Sequence, residues 1–116
     1  MFQKDLFKDK IVLVTGGGSG IGYSIAKEYL SLGAIVYIAS RNAEKIEKAV
    51  SELKRIGDVR AAIADIRETE HIEALAQKIK EEAGRLDILV NNAGGQFPSA
   101  AENISYNGFR AVITNN

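Results

Sequence analysis

The chain has 116 residues, with 15 basic and 15 acidic side chains, eleven Gly, one Pro, one His and no Cys, and 46% of it is hydrophobic, enough to build a core for one domain or part of one. A net charge of zero argues against nucleic acid as a partner, and the absence of Cys excludes disulfides, thiolate nucleophiles and Cys-held metals. No apolar run of about 18 residues is present to span a membrane, and Met1–Lys10 lacks the apolar centre of a secretory signal, so the expected setting is the cytoplasm or an organelle matrix.

Short apolar runs alternate with amphipathic helices along the chain. Ile11–Val14 is the first run, Ala34–Ala39 the second, Val59–Ala64 the third and Leu86–Val90 the fourth. Nearly continuous apolar runs suit strands whose sheet is covered by helices on both faces. Between them, Ile21, Ile25 and Tyr29 with Gly22, Ala26 and Leu30, then Ile46, Ala49, Val50 and Leu53, then Ile72, Leu75, Ala76 and Ile79 recur at helical spacing, with Lys and Glu opposite. Gly33, Gly57 and Gly84 follow as expected C-terminal caps. This strand–helix alternation predicts an α/β fold of βαβ units, with a parallel sheet and right-handed crossovers. A fourth helix is expected from near Ser105, with Phe109, Val112 and Ile113 on its apolar side.

Thr15-Gly16-Gly17-Gly18-Ser19-Gly20-Ile21-Gly22 follows the first strand and opens the first helix. Glycines there let backbone approach a phosphate without a Cβ clash, and the N–H groups of the helix start attract the anion. No Gly-Lys-Ser/Thr follows, so the loop is not that of a nucleoside triphosphatase; a dinucleotide is the expected ligand. The second strand ends in Ser40-Arg41, where an NAD site usually carries an acid for the ribose hydroxyls. Arg41 can instead pair with a 2′-phosphate, which favours NADP (NADPH) over NAD. Asp65 ends the third strand; it either accepts from the adenine amino group or caps the next helix in a capping box with Glu68. Asn91-Asn92-Ala93-Gly94 ends the fourth, where Asn amides can tie strand ends together and small residues leave room for a flat ring.

Together, Thr15–Gly22, Asp65 and Asn91–Gly94 resemble the short-chain dehydrogenase/reductase family, from about Lys10 to Asn116. The resemblance implies the first part of a Rossmann-like parallel sheet, strand order 3-2-1-4 with helices on both faces, that binds NAD(P). It implies that Gly16, Ser19, Gly20, Ile21 and Gly22 hold the pyrophosphate, that Arg41 selects NADP, and that Asp65 and Ile66 flank the adenine. It further implies that Asn92, Ala93 and Gly94 line the region of the nicotinamide-side ribose, and that Asn116, on the fourth helix, helps hold a water in the proton relay. Gly94–Glu102 and Asn107–Val112 are similar to the acyl-CoA reductase branch, with trans-2-enoyl-CoA and 2,4-dienoyl-CoA reductases. Ala39-Ser40-Arg41 also suits that branch. An acyl-CoA thioester is then the implied small-molecule substrate, and a homotetramer the implied assembly of the full-length protein. Reduction of a 3-oxoacyl or other carbonyl group is the alternative within the family, and a non-catalytic dinucleotide-binding module the alternative outside it.

The family's catalytic Ser and its Tyr-x-x-x-Lys pair lie beyond the matched segment, so this span is expected to lack the usual proton donor. Tyr23-x-x-x-Lys27 has that spacing but sits one residue past Gly22, on the helix that faces phosphate, so it is expected to be structural. His71 stands without ligand partners in the sequence and is expected at the surface, and no metal is expected. An order 3-2-1-4 leaves the fourth strand as an open edge, which predicts self-association of this chain made alone.

Overall fold

Ile11–Thr15 is fully buried and forms β1, the centre of the sheet. The computed structural model describes residues 5–18, 20–92 and 112–115. In chain order the elements are β1, α1 (Gly20–Ser31), β2 (Ile35–Ser40), α2 (Ala43–Leu53), β3 (Val59–Ile63), α3 (Thr69–Ala83), β4 (Ile88–Asn91) and β5 (Val112–Asn115). All strand pairs are parallel and the sheet order is β3-β2-β1-β4-β5, which contains the order 3-2-1-4 read from the sequence.

Alternation along β1 explains why the apolar runs are continuous. Val12 and Val14 point into one core with Val36, Ile38, Val90, Ala26 and Leu30 of α1, and Ile46, Ala49 and Leu53 of α2. Ile11 and Leu13 point into the opposite core with Tyr37, Ala39, Leu89, and Leu75 and Ile79 of α3. β1, β2 and β4 therefore bury both faces, and each fully buried aliphatic side chain contributes about 1.5–3 kcal/mol. Polar anchors pin the ends. The Ile11 N–H donates to Asp87 Oδ2 at 2.8 Å, and Arg85 Nε donates to the same oxygen at 2.8 Å. On the α3 side, the buried Tyr37 hydroxyl donates to Glu82 at 2.7 Å and accepts from Arg60 at 3.0 Å. Burial and the Glu82 carboxylate raise the pKa of that phenol.

Two local expectations change. Gly33 and Gly84 take left-handed backbone at the ends of α1 and α3, but Gly57 does not. α2 ends at Leu53 with Lys54 as its cap in right-handed conformation, and Gly57 instead packs closely against Leu30. The second change concerns the fourth helix. Val112 and Ile113, expected on its apolar side, belong to β5, which pairs Ile88↔Val112 through Asn91↔Asn115. Val112-Ile113-Thr114 is a run of β-branched residues, stiff at χ1 and suited to a pleated surface, and the edge of β4 offers it a full set of hydrogen-bonding partners. β4 is therefore not the open edge predicted from the sequence. Ser105, Tyr106 and Phe109 lie outside the described residues.

Candidate functional site

Parallel register brings the carboxyl ends of the strands to one edge of the sheet: Thr15 stands beside Ala39 and Asn91, and Ser40 beside Ile63. Such an edge, where the chain leaves β1 toward one face and β4 lies on its other side, is where open α/β sheets hold ligands.

The glycine loop occupies the middle of that edge. Gly16 and Gly20 have φ of 68° and 61°, a region that L side chains rarely adopt. The Gly16 N–H donates to Ala39 O at 2.8 Å, tying the loop to the end of β2. A Cβ on Gly22 would stand 2.1 Å from Gly16 O and 2.7 Å from Asn92 Nδ2, so α1 packs on the loop and on the end of β4 with no room for a side chain. At Gly20, by contrast, a Cβ would meet no described residue within 4 Å. The first turn of α1 carries no acidic residue to occupy its positive end. Ile21 beside it is 70% exposed, a large apolar side chain left at the surface.

Thr15 and the two Asn residues brace the loop from beneath. The buried Thr15 hydroxyl accepts the Asn92 N–H at 3.0 Å and lies 3.2 Å from Asn91 Oδ1, within reach to donate. The signal for this brace, Thr immediately before the glycines and Asn-Asn at the end of the partner strand, was present in the sequence, but the link between them appears only when β1 and β4 pair.

A groove of about 300 Å³ opens beside the loop, lined by Gly16, Ser40, Arg41, Asp65, Ile66 and Arg67 among others. Ser40 Oγ accepts the Asn42 N–H at 3.1 Å, and Asn42 caps α2 through Lys45 N–H, so Arg41 is held at a fixed turn with its side chain 67% exposed. Asp65 Oδ1 accepts Arg67 N–H and Nε, each at 3.0 Å, and Oδ2 accepts Arg67 Nη2 at 2.8 Å. These bonds hold the Asp65 carboxyl well below the usual carboxylate range and raise the Arg67 guanidinium. Arg41 Nη1 is 4.0 Å from Asp65 Oδ2. The capping box with Glu68 does not form: Glu68 is itself the N-cap of α3, without a side-chain bond, because Asp65 is committed to the turn through Arg67.

Two residues that the sequence reading left aside belong to this groove or its frame. Arg67 lines it, and an Asp-x-Arg spacing at a strand end was the available signal. His71, on the exposed side of α3 as expected, accepts the Asp65 N–H on Nδ1 at 2.9 Å and so steadies the turn. Tyr23 packs partly buried against the core while Lys27 is exposed, in keeping with a structural role. Thus Gly16, Gly20, Ile21, Gly22, Ser40, Arg41, Asp65, Ile66 and Asn92 gather on one edge, whereas Ser19, Ala93, Gly94 and Asn116 lie outside the described residues. Among the described residues no group of three or more His, Asp or Glu is placed to hold a metal, and no helix is long and apolar enough to cross a membrane.

Comparison with known proteins agrees with this geometry. A family profile described as short chain dehydrogenase matches residues 10–116. The chain is 38% identical over 113 residues to a peroxisomal 2,4-dienoyl-CoA reductase of Arabidopsis thaliana, covering 97% of this chain and 38% of that protein. It is 41% identical over 104 residues to a rhamnolipids biosynthesis 3-oxoacyl-[acyl-carrier-protein] reductase of Pseudomonas aeruginosa, covering 90% and 41%. Among solved structures, the Pseudomonas aeruginosa RhlG/NADP active-site complex superposes with a TM-score of 0.74 at 42% identity, covering 82% of this chain and 38% of that one. The chain thus spans about two fifths of the length of these relatives. Motif, strand order and profile converge on one assignment: the chain belongs to the short-chain dehydrogenase family.

Proposed function

We propose that this chain is the cofactor-binding part of an NADP-dependent oxidoreductase that reduces the enoyl or dienoyl double bond of a fatty acyl-CoA thioester. The observation that carries the cofactor reading is the groove between β2 and β3, where Arg41 stands at the position that an acid takes in an NAD site. The residues fit the cofactor. Left-handed glycines, no described residue within 4 Å of a Cβ at Gly20 and a helix start with no acid in its first turn suit a pyrophosphate. The groove beside them suits an adenosine with a 2′-phosphate on Arg41.

When bound, the dihydronicotinamide supplies a hydride. The chain's own residues bind and orient. Gly16, Ser19, Gly20, Ile21 and Gly22 hold the pyrophosphate. Ser40 and Arg41 take the 2′-phosphate, and Asp65 and Ile66 flank the adenine. Asn92, Ala93 and Gly94 border the nicotinamide-side ribose, and Asn116 holds a water of the proton relay. The proton donor itself, a Tyr beside a Lys that lowers its pKa, belongs to residues outside this span. In this reading the full-length protein is a homotetramer of the cytoplasm or an organelle matrix, with no nucleic-acid or membrane partner.

Similarity to the 2,4-dienoyl-CoA reductase supports the acyl-CoA substrate, and similarity to the 3-oxoacyl reductase supports carbonyl reduction as the second reading. NADPH oxidation by the full-length protein with 2-enoyl-, 2,4-dienoyl- and 3-oxoacyl-CoA thioesters separates them. Turnover of the unsaturated thioesters is the expected result; turnover of the 3-oxoacyl thioester alone overturns the first reading. A full-length protein that binds NADP(H) but turns over none of them, and whose sequence has no Ser and Tyr-x-x-x-Lys, is the binding module instead.

A further inference from the structure

An acid in a groove that receives a phosphate is an electrostatic liability, and Asp65 is such an acid. Its side chain is only 17% exposed and lines the same groove as Arg41. Left alone, it would repel a 2′-phosphate and would draw Arg41, whose guanidinium already lies 4.0 Å away, out of that phosphate's reach. Arg67 prevents both. It is two residues from Asp65, engages both carboxylate oxygens, and also gives its backbone N–H to Oδ1. That clamp is local to one turn, and the turn is braced from α3 by His71 on the Asp65 N–H. Arg41, Asp65 and Arg67 together carry one net positive charge; without Arg67 the three positions carry none.

We propose that Arg67 sets cofactor selectivity through Asp65, neutralising that carboxylate so that Arg41 stays available to the 2′-phosphate. The inference rests on the NADP reading above and adds to it a positioning residue that need not touch the ligand. Two features of the groove follow from it. Arg41 can be a single, exposed arginine because Arg67 holds Asp65 Oδ2 at 2.8 Å, whereas Arg41 stands 4.0 Å from the same oxygen. Asp65 keeps a second lone pair on Oδ2 for the adenine amino group while Arg67 balances its charge.

The test uses the full-length protein and two probes of the adenosine half, 2′-phospho-ADP-ribose and ADP-ribose, by titration calorimetry. Wild type is expected to prefer the phosphorylated probe, and Arg41→Ala to lose the preference. Arg67→Ala is expected to weaken the phosphorylated probe about tenfold, as an Asp65 charge left unbalanced at roughly 6 Å in partly solvated surroundings does, and to leave ADP-ribose within about twofold. In an Asp65→Asn background, which keeps an acceptor but no charge, the Arg67→Ala loss is expected to shrink to about threefold or less. Equal weakening of both probes by Arg67→Ala makes its role merely structural and overturns the proposal. An undiminished loss in the Asp65→Asn background makes Arg67 a direct phosphate ligand and overturns the route through Asp65. Absence of any wild-type preference overturns the NADP reading itself, a result visible before any Arg67 variant is made. Since Arg67 is 67% exposed, the variant is expected to melt with wild type, which separates loss of selectivity from loss of fold.

Discussion

Gly22 shows how much one missing side chain decides. A Cβ there would lie 2.1 Å from a backbone oxygen, Gly16 O, and that oxygen belongs to the loop that α1 stands on. Gly22→Ala is therefore expected to destabilise the fold by about 2–3 kcal/mol, the range for forcing atoms into a packed site, and to abolish cofactor binding. Thermal melts with and without NADP check both; an alanine variant that melts like wild type contradicts the packing argument. This glycine was legible in the sequence because the spacing of the loop is local, and Arg41 was legible because it directly follows a strand. The Thr15–Asn92 bond and the His71–Asp65 bond were not. Each joins residues that only strand pairing or the return of α3 brings together, and a single His with no ligand partner in the sequence gave no reason to look for an acceptor. The capping box failed for a related reason: the same Asp65 oxygens that could reach a helix N–H are taken by a nearer guanidinium.

At the scale of elements, β1 and β4 are latched by Asp87. Burial alone would raise its carboxyl, but the Arg85 guanidinium and the Ile11 N–H outweigh burial and leave its pKa lowered. A lowered folded-state pKa means that the folded chain binds the proton less well than the unfolded one. Its contribution to stability is thus complete above the unfolded value of about 3.9 and is lost as pH falls through the folded value. Asp87→Asn is expected to cost about 1 kcal/mol near neutral pH, with the gap to wild type closing below about pH 4. Urea titrations across that range check it, and a gap that widens in acid contradicts the sign. Strands and helices up to β4 were legible because the continuous apolar runs and the helical patterns agree with burial on two distinct faces. β5 was not. Val112 and Ile113 fit one face of a helix as well as a strand, and what decides between them is the neighbouring edge of β4, a fact of the sheet and not of the segment.

For the whole molecule, pairing of β5 moves the edges of the sheet, among the described residues, outward to β3 and β5. β3 ends in Ile63, an apolar side chain 58% exposed on an edge strand of five residues. Unpaired N–H and C=O groups beside exposed apolar surface invite strand addition between copies. The 116-residue chain made alone is therefore expected to sediment as oligomers, and a monodisperse monomer with one cooperative melt contradicts this. The two-sided packing also explains why ordinary composition and zero charge gave so little about function. The chemistry lies on one edge of the sheet, in a few glycines, two arginines and an aspartate, too few to move any average over the chain. The central claim, that this edge is an NADP site read by Arg41, is tested most directly by titrating the full-length protein and its Arg41→Ala variant with NADP and NAD. The account predicts tighter NADP binding by wild type and a selective loss of about tenfold to a hundredfold on removing the guanidinium, as for a charged hydrogen-bonded pair. Equal affinity of wild type for the two cofactors, or no loss of NADP affinity in the variant, contradicts it.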